Sequence, residues 1–426
     1  MTIFVFVGSL LAAIAIGMPI AYALLVSGVA LMIHIGIFDS QIVAQNVING
    51  ADSFPLMAVP FFMLAGEVMN RGGLARRIVN VALVAVGHVK GGLGYVTIAA
   101  ACLLSALSGS AVADAAALAT LLVPLMVQAG HDENRAAGLV AASGVIGPII
   151  PPSIAFVLFG VVAGVSITKL FLAGIVPGIL LGIGLAAAWW LQVRNEEIMS
   201  PPRRSARDLV HALVEGFWAL LLPAIIVFGL KFGVFTPTEA AVVAAVYSLV
   251  VALFVYRELK FAELFDVLVS SAKTTAVVMF LVAAALVSSW LITIAEVAAT
   301  VVDLLQPFMD NQTLLLLAIM VLVVIVGTAL DMTPTILILT PILMPIIKEA
   351  GIDPVYFGVL FIVNNSIGLI TPPVGTVLNV VAGVARISME NLMKGVWPFF
   401  IAQLIVLLLM VLFPALVMWP ATLIGR

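Results

Sequence analysis

Four stretches of this chain, residues 169–193, 212–231, 237–256 and 273–293, are near-continuous runs of Leu, Ala, Val, Ile and Phe whose few charges sit close to their ends. Each is long enough to cross a bilayer, whose hydrocarbon core takes about 20 helical residues. In lipid every backbone N–H and C=O must be satisfied within the protein, so such runs fold as helices, whereas a β-barrel would show short alternating segments. Only 9% of the 426 residues are charged and 64% are hydrophobic, against roughly 25% and 50% in a soluble domain. The chain reads as an all-α polytopic membrane protein with room for roughly ten to twelve crossings.

The same composition removes several function classes. The net charge of −3 and the lack of a basic tract argue against nucleic acid. Cys102 is the only cysteine, and His34, His88, His131 and His211 are scattered without metal-ligand spacing. No GxxxxGK[ST] sequence occurs, so ATP hydrolysis by this chain, and enzyme activity generally, is not expected. Residues 1–70 hold no Lys or Arg, which leaves no basic n-region for a secretory signal, and the N-terminus is expected to be retained.

Positive charge in short loops resists export. Three basic clusters are therefore assigned to the cytoplasmic side: Arg71, Arg76, Arg77 and Lys90; Arg194, Arg203, Arg204 and Arg207; Arg257 and Lys260. Stretches 39–52 and 296–310 carry acids but no Lys or Arg and are assigned outside. Residues 54–70 then form a span, and 74–88 and 296–308 form amphipathic helices lying at the interface. Gly17-Met18-Pro19 divides residues 2–36 into two short helices with the N-terminus outside. Trp189, Trp190, Trp397 and Trp419 read as anchors at the lipid headgroups.

An internal repeat orders these pieces. Shifting the sequence by 221 pairs Pro124 with Pro345, Ala129 with Ala350, Gly130 with Gly351, Asp132 with Asp353, Gly147 with Gly368, and Pro151-Pro152 with Pro372-Pro373. With small shifts, Gly174 and Pro177 follow against Gly395 and Pro398. Apolar bias aligns Leu with Leu, but not Gly, Asp and Pro-Pro in one register. Spans at 134–165, 169–193, 212–231, 237–256 and 273–293 separate the units, and this odd number makes the repeats inverted.

Each repeat has two places where a membrane helix stops. The first is a polar turn, residues 105–110 and 327–334, between apolar arms of about 15 residues, too short to span comfortably, so each reads as a re-entrant hairpin. The second is Gly147-Pro148-Ile149-Ile150-Pro151-Pro152 and its counterpart Gly368-Leu369-Ile370-Thr371-Pro372-Pro373, where proline removes an N–H and unwinds the helix. Freed carbonyls suit a hard cation such as Na+, and the N-termini of the following half-helices suit an anion. A lone proline kink is often only structural; two symmetry-related breaks, each facing a Ser/Thr/Gly/Asp tip, point to a binding site. Asp114 and Asp331 are the acids nearest the tips, and burial of charge at that depth is costly enough to imply function, capping of a half-helix being the structural alternative.

The runs Ser108-Gly109-Ser110-Ala111-Val112-Ala113-Asp114, Gly147 to Ser153, Phe235-Thr236-Pro237-Thr238-Glu239 and Gly368 to Gly375 resemble the large membrane subunit of tripartite ATP-independent periplasmic (TRAP) transporters, over essentially the whole chain. The resemblance implies a sodium-coupled importer of organic acids in the bacterial inner membrane. Its partners would be a small four-helix membrane subunit and a periplasmic substrate-binding protein. It implies an elevator, with scaffold helices at 1–70 and 169–295, arm helices at 71–90 and 296–310, transport-domain halves at 91–168 and 311–386, and a C-terminal helix at 387–426. One Na+ site would fall at Ser105, Ser108, Gly147, Ile150 and Pro152, and a second at Gly327, Gly368 and Thr371. Substrate contacts would come from Ser108, Ser110, Asp114, Ser153 and Asp331. The family's likeness leans towards a sugar acid such as sialic acid. A stand-alone dicarboxylate carrier with the same inverted hairpins is the competing reading.

Overall fold

The computed structural model describes residues 2–196, 204–295, 306, 308–309, 311–372 and 375–424. Arg203, Pro373, Asp310 and residues 296–305, which include most of the second expected interfacial helix, lie outside the described residues. The regular structure described is helical throughout. Helices α1 (Thr2–Ala15) and α2 (Ile20–His34) are separate, divided at Gly17 to Pro19 as the sequence implies. Helix α3 (Ser40–Ala51) bends by 56° into a 3-10 turn that leads α4 (Ala58–Arg71). The first half continues with α5 (Leu74–Val86), α6 (Gly92–Ser108), α7 (Ala111–Gln128), α8 (Glu133–Gly144), α9 (Ile154–Ala163) and α10 (Ile167–Val193). The second runs through α11 (Ala206–Lys231), α12 (Pro237–Val250), α13 (Leu264–Ile294), α14 (Gln312–Ala329), α15 (Met332–Glu349), α16 (Pro354–Gly368), α17 (Thr376–Ala385), α18 (Met389–Leu412) and α19 (Ala415–Ile424).

Among the described residues seven helices are long and apolar enough to cross alone. Dividing length by span length predicted more, because hairpin arms and half-helices are shorter than a crossing. Helices α11 and α13 begin earlier than the hydropathy implies. At α11 the reason is local: Ser205 and Asp208 form a capping box, each side chain accepting the other's backbone N–H.

The residues that reveal the repeat are those that start and stop its helices. Asp132 accepts from Arg135 N at the head of α8, and Asp353 accepts from Val355 N and Tyr356 N at the head of α16. Ser166 and Ser388 cap α10 and α18 alike. Gly130 and Gly351 both hold positive φ where the preceding helix ends. Packing obeys the same symmetry. Helix α8 lies on α18 as α16 lies on α10, and α7 lies on α17 as α15 lies on α9.

This packing places α10 and α18 beside the hairpins and broken helices. A glycine stripe on α10 makes that contact: Gly174 faces Ile149 O, Gly178 faces the Ile150 side chain and Gly182 faces Cys102. Small residues at four-residue spacing let membrane helices approach through backbone van der Waals contact.

The basic clusters converge on one end. Glu258 pairs with both Arg76 and Arg77, and Lys90 Nζ donates to Arg194 O at 2.8 Å. Three clusters distant in sequence thus share one side, as their common cytoplasmic assignment requires. Trp189 departs from the expectation of a lipid anchor. It is fully buried over Gly94, its Nε1 donates to Gly91 O at 2.8 Å, and its ring packs on His131, 5.1 Å between centroids. The two glycines leave a slot that only a large flat ring fills. Trp190, Trp397 and Trp419 are exposed, as anchors should be.

His131, in the loop between α7 and α8, is buried, and burial holds its pKa below the usual imidazole value, Glu196 opposing and Arg135 adding to the shift. Its neutral form stabilises the fold fully above about pH 6.5, and this contribution is lost as pH falls through that value towards the lower folded pKa. Thermal melts between about pH 8 and pH 5 should show the loss, and His131→Phe should flatten it.

Candidate functional site

Both hairpins and both breaks are present, with tips tighter than the sequence implied. Only Gly109-Ser110 separates α6 from α7, and only Leu330-Asp331 separates α14 from α15. Ser105, Ser108, Gly327 and Thr328, expected in the turns, are helical. Ser105 Oγ donates back to Ala101 O and Thr328 Oγ1 to Ile325 O, which lets these residues remain in a helix. The arms consequently reach 17 and 18 residues.

Each tip seats on the break of its own repeat. A Cβ on Gly109 would stand 2.9 Å from Pro152 O, and one on Gly368 would stand 3.1 Å from Gly327 Cα. These contacts require glycine, and at Gly109, with φ of 61°, the backbone requires it as well.

A small cavity of about 100 Å3, partly open to solvent, lies between the two tips. Ser110, Ala111 and Val112 contribute the head of α7; Ile154 and Ala155 the head of α9; Asp331, Met332 and Thr333 the head of α15. Pro148 and Leu369 of the breaks complete it, with Met63 of α4 and Val278 of α13 facing them. Three helix N-termini therefore meet around one space. Each carries unpaired N–H groups and the positive end of a helix dipole, and together they favour an anion. Asp331 and Thr333 also border a wider recess of about 530 Å3 that runs between α2 and α13 past Tyr22 and Phe280.

The expected substrate residues fall into two layers. Ser110 and Asp331 line the cavity. Ser110 caps α7 through Ala113 N at 3.4 Å. Asp331, its repeat mate, holds the N-cap position of α15 without capping it; its exposed carboxylate accepts from Thr376 Oγ1 at 3.2 Å, tying the second tip to α17. Ser108, Asp114 and Ser153 lie behind the wall. Ser108 Oγ donates to Asp114 Oδ1 at 2.5 Å, and Ser153 Oγ donates to Pro148 O and accepts from Phe156 N. Asp114 is 4% exposed, with Oδ2 unpartnered beside Gly147.

The expected ion residues gather in two groups. Ser108 and Gly147 meet through Asp114, and Pro152 meets Gly109, at the junction of the first hairpin and first break, whereas the Ser105 hydroxyl bonds to Ala101 O and the Ile150 side chain turns away to Gly178. Gly327, Gly368 and Thr371 belong to the second junction, where Thr371 Oγ1 donates to Ile367 O at 2.9 Å. All the donors are hard oxygens, and the orphaned, buried Asp114 Oδ2 is an atom that a cation would satisfy; the residues fit Na+. Sequence reasoning missed Thr333, Thr376 and Asn365. The Asn364-Asn365 pair within an apolar helix was the available signal.

Inverted repeats of a re-entrant hairpin and a broken helix, enclosing a site at their junction, define a secondary-transporter fold. The chain belongs to the family described as tripartite ATP-independent periplasmic transporter, DctM component, which matches residues 7–416. It is 55% identical over 420 residues to the 2,3-diketo-L-gulonate TRAP transporter large permease protein of Escherichia coli (strain K12), covering 99% of each chain. It is 40% identical over 398 residues to the sialic acid TRAP transporter large permease protein of Vibrio cholerae, covering 93% of each. Its fold is similar to the crystal structure of the YdaH transporter of Alcanivorax borkumensis, with a TM-score of 0.66 at 18% identity over 89% of this chain and 88% of that one. It is a multi-pass permease of the bacterial inner membrane.

Proposed function

We propose that this chain is the large permease of a sodium-coupled transporter that imports a sugar acid delivered by a periplasmic binding protein, working beside a small four-helix membrane subunit. The observation that carries this reading is the cavity ringed by the heads of α7, α9 and α15. A substrate carboxylate takes the N–H groups there, while Asp331, Ser110 and Thr333 accept from or donate to hydroxyls. Sodium at the two junctions beside the cavity offsets the negative charge of substrate and Asp331. A wall carboxylate disfavours a second substrate carboxylate, which supports a hydroxylated monoacid over a dicarboxylate. The relatives named for 2,3-diketo-L-gulonate and sialic acid are both of that kind, and the higher identity of the first supports a substrate of its type.

The position of the cavity supports an elevator. Met63 of α4 and Val278 of α13 face it from one side and the hairpins and breaks from the other. We assign the moving body to α6–α10 and α14–α18, which pack on one another across the repeat, with the remaining helices as scaffold.

In proteoliposomes, uptake of labelled sugar acid is expected only with an inward sodium gradient and the cognate binding protein together, and to fall to background without either. Full uptake without the binding protein would establish the stand-alone carrier instead. Full uptake on a proton gradient alone would remove the sodium sites.

A further inference from the structure

The second junction offers main-chain oxygens at Gly327 and Gly368 and one hydroxyl, Thr371, that is already bonded to its own helix. A neighbouring side chain has an oxygen to spare. Asn365 lies on α16 one turn before Gly368 and is fully buried. Its Nδ2 donates to Met332 O at 3.1 Å, while its Oδ1 has no hydrogen-bond partner. The amide is held in this sense, because turning it over would set two acceptor oxygens face to face at Met332. Its Oδ1 stands 3.3 Å from where a Cβ on Gly327 would be.

The surroundings favour positive charge. Gly327 lies in the last turn of α14, and Asn365 and Gly368 in the last turn of α16, so the negative dipole ends of two helices converge on this oxygen. The first repeat shows the same device in different chemistry. There Gly147, the mate of Gly368, has the buried and unpartnered Asp114 Oδ2 at 2.9 Å from its Cβ position. Each broken-helix glycine thus adjoins a junction holding one orphan side-chain oxygen, charged in the first repeat and neutral in the second.

We infer that Asn365 Oδ1 is a direct ligand of the second sodium site, the neutral counterpart of Asp114 Oδ2 in the first. This rests on the sodium reading above. Met332 O acts as the positioning group, so the ligand is aimed only while the second hairpin is seated on its break. Sodium binding and hairpin closure are then one event.

The test uses the full-length chain, co-purified with its small subunit and melted in detergent at fixed ionic strength as choline is replaced by Na+. The readout is the Na+ concentration at half of the Na+-dependent rise in Tm. Asn365→Ala should raise that concentration about tenfold or more, the loss of one bond to a charged group. Asn365→Ser keeps a hydroxyl to donate towards Met332 O but withdraws the amide oxygen, so it should raise it too, and this variant carries the test if the alanine variant does not fold. Asn364→Ala is the control. That neighbour is equally buried with an orphan oxygen, but it donates to Met320 O and borders the apolar groove of α14, α16 and α18; its midpoint should stay within about twofold. A wild type that responds to Na+ with unchanged midpoints in both Asn365 variants overturns this ligand. A wild-type Tm indifferent to Na+ overturns the sodium reading and the ligand with it.

Discussion

Asp331→Ala is expected to abolish sugar-acid uptake while leaving the protein folded. The carboxylate is exposed in the cavity wall and its one hydrogen bond among the described residues is from Thr376 at 3.2 Å, so its removal should cost the fold no more than about 1 kcal/mol. Its loss to transport is larger. Hydrogen bonds from substrate hydroxyls to a charged acceptor are worth about 1.5–3 kcal/mol each, so losing one lowers uptake by about tenfold to a hundredfold and losing two by about a hundredfold or more. Proteoliposome uptake and detergent melting on the same preparation separate the two effects. Thr376→Val removes the partner but keeps the carboxylate, and should reduce uptake far less. Wild-type uptake by the alanine variant would exclude Asp331 from the mechanism.

Gly395→Ala is expected to have the largest effect on folding. A Cβ there would lie 1.9 Å from Asn134 O and 2.4 Å from Asn134 C, where α18 crosses the head of α8. Gly138 approaches from the opposite side, its own Cβ position 2.4 Å from Gly395 C. These neighbours are backbone, so no rotamer change relieves the clash and the helices must separate. Overpacking against side chains costs typically 1–3 kcal/mol, and here about 3 kcal/mol or more is expected. Folded yield, read by size-exclusion in detergent, should fall steeply. Gly383→Ala on α17, with open space around it, should leave Tm unchanged or slightly raised, because alanine favours a helix over glycine.

Gly395 also shows how sequence and structure divide the explanation. Its pairing with Gly174 across the repeat is visible in the sequence, but the reason each is glycine is not. Gly174 admits Ile149 O of its own repeat, whereas Gly395 admits Asn134 O of the other, two different contacts for paired residues. The glycine stripe on α10 is likewise present in the sequence, whereas the groups it admits are not. Trp189 was misjudged on the same ground: a tryptophan near a span end usually meets headgroups, yet Gly91 and Gly94 open a slot for it inside.

The sequence by itself determined the membrane environment, the repeat, the two broken helices and the two hairpins. Each follows from chemistry confined to a few neighbouring residues: charge cannot stay in lipid, proline cannot donate, and glycine alone turns freely. Tertiary structure decided which side chains reach the cavity and which lie behind it, that Asp331 joins Thr376 and not its own helix head, and that Asn365 aims its oxygen at Gly327. Those facts depend on how distant helices pair. In a bilayer the lipid is as apolar as a helix face, so hydrophobicity does not select the partner; backbone fit at a few glycines does, and that fit exists only once the helices have met.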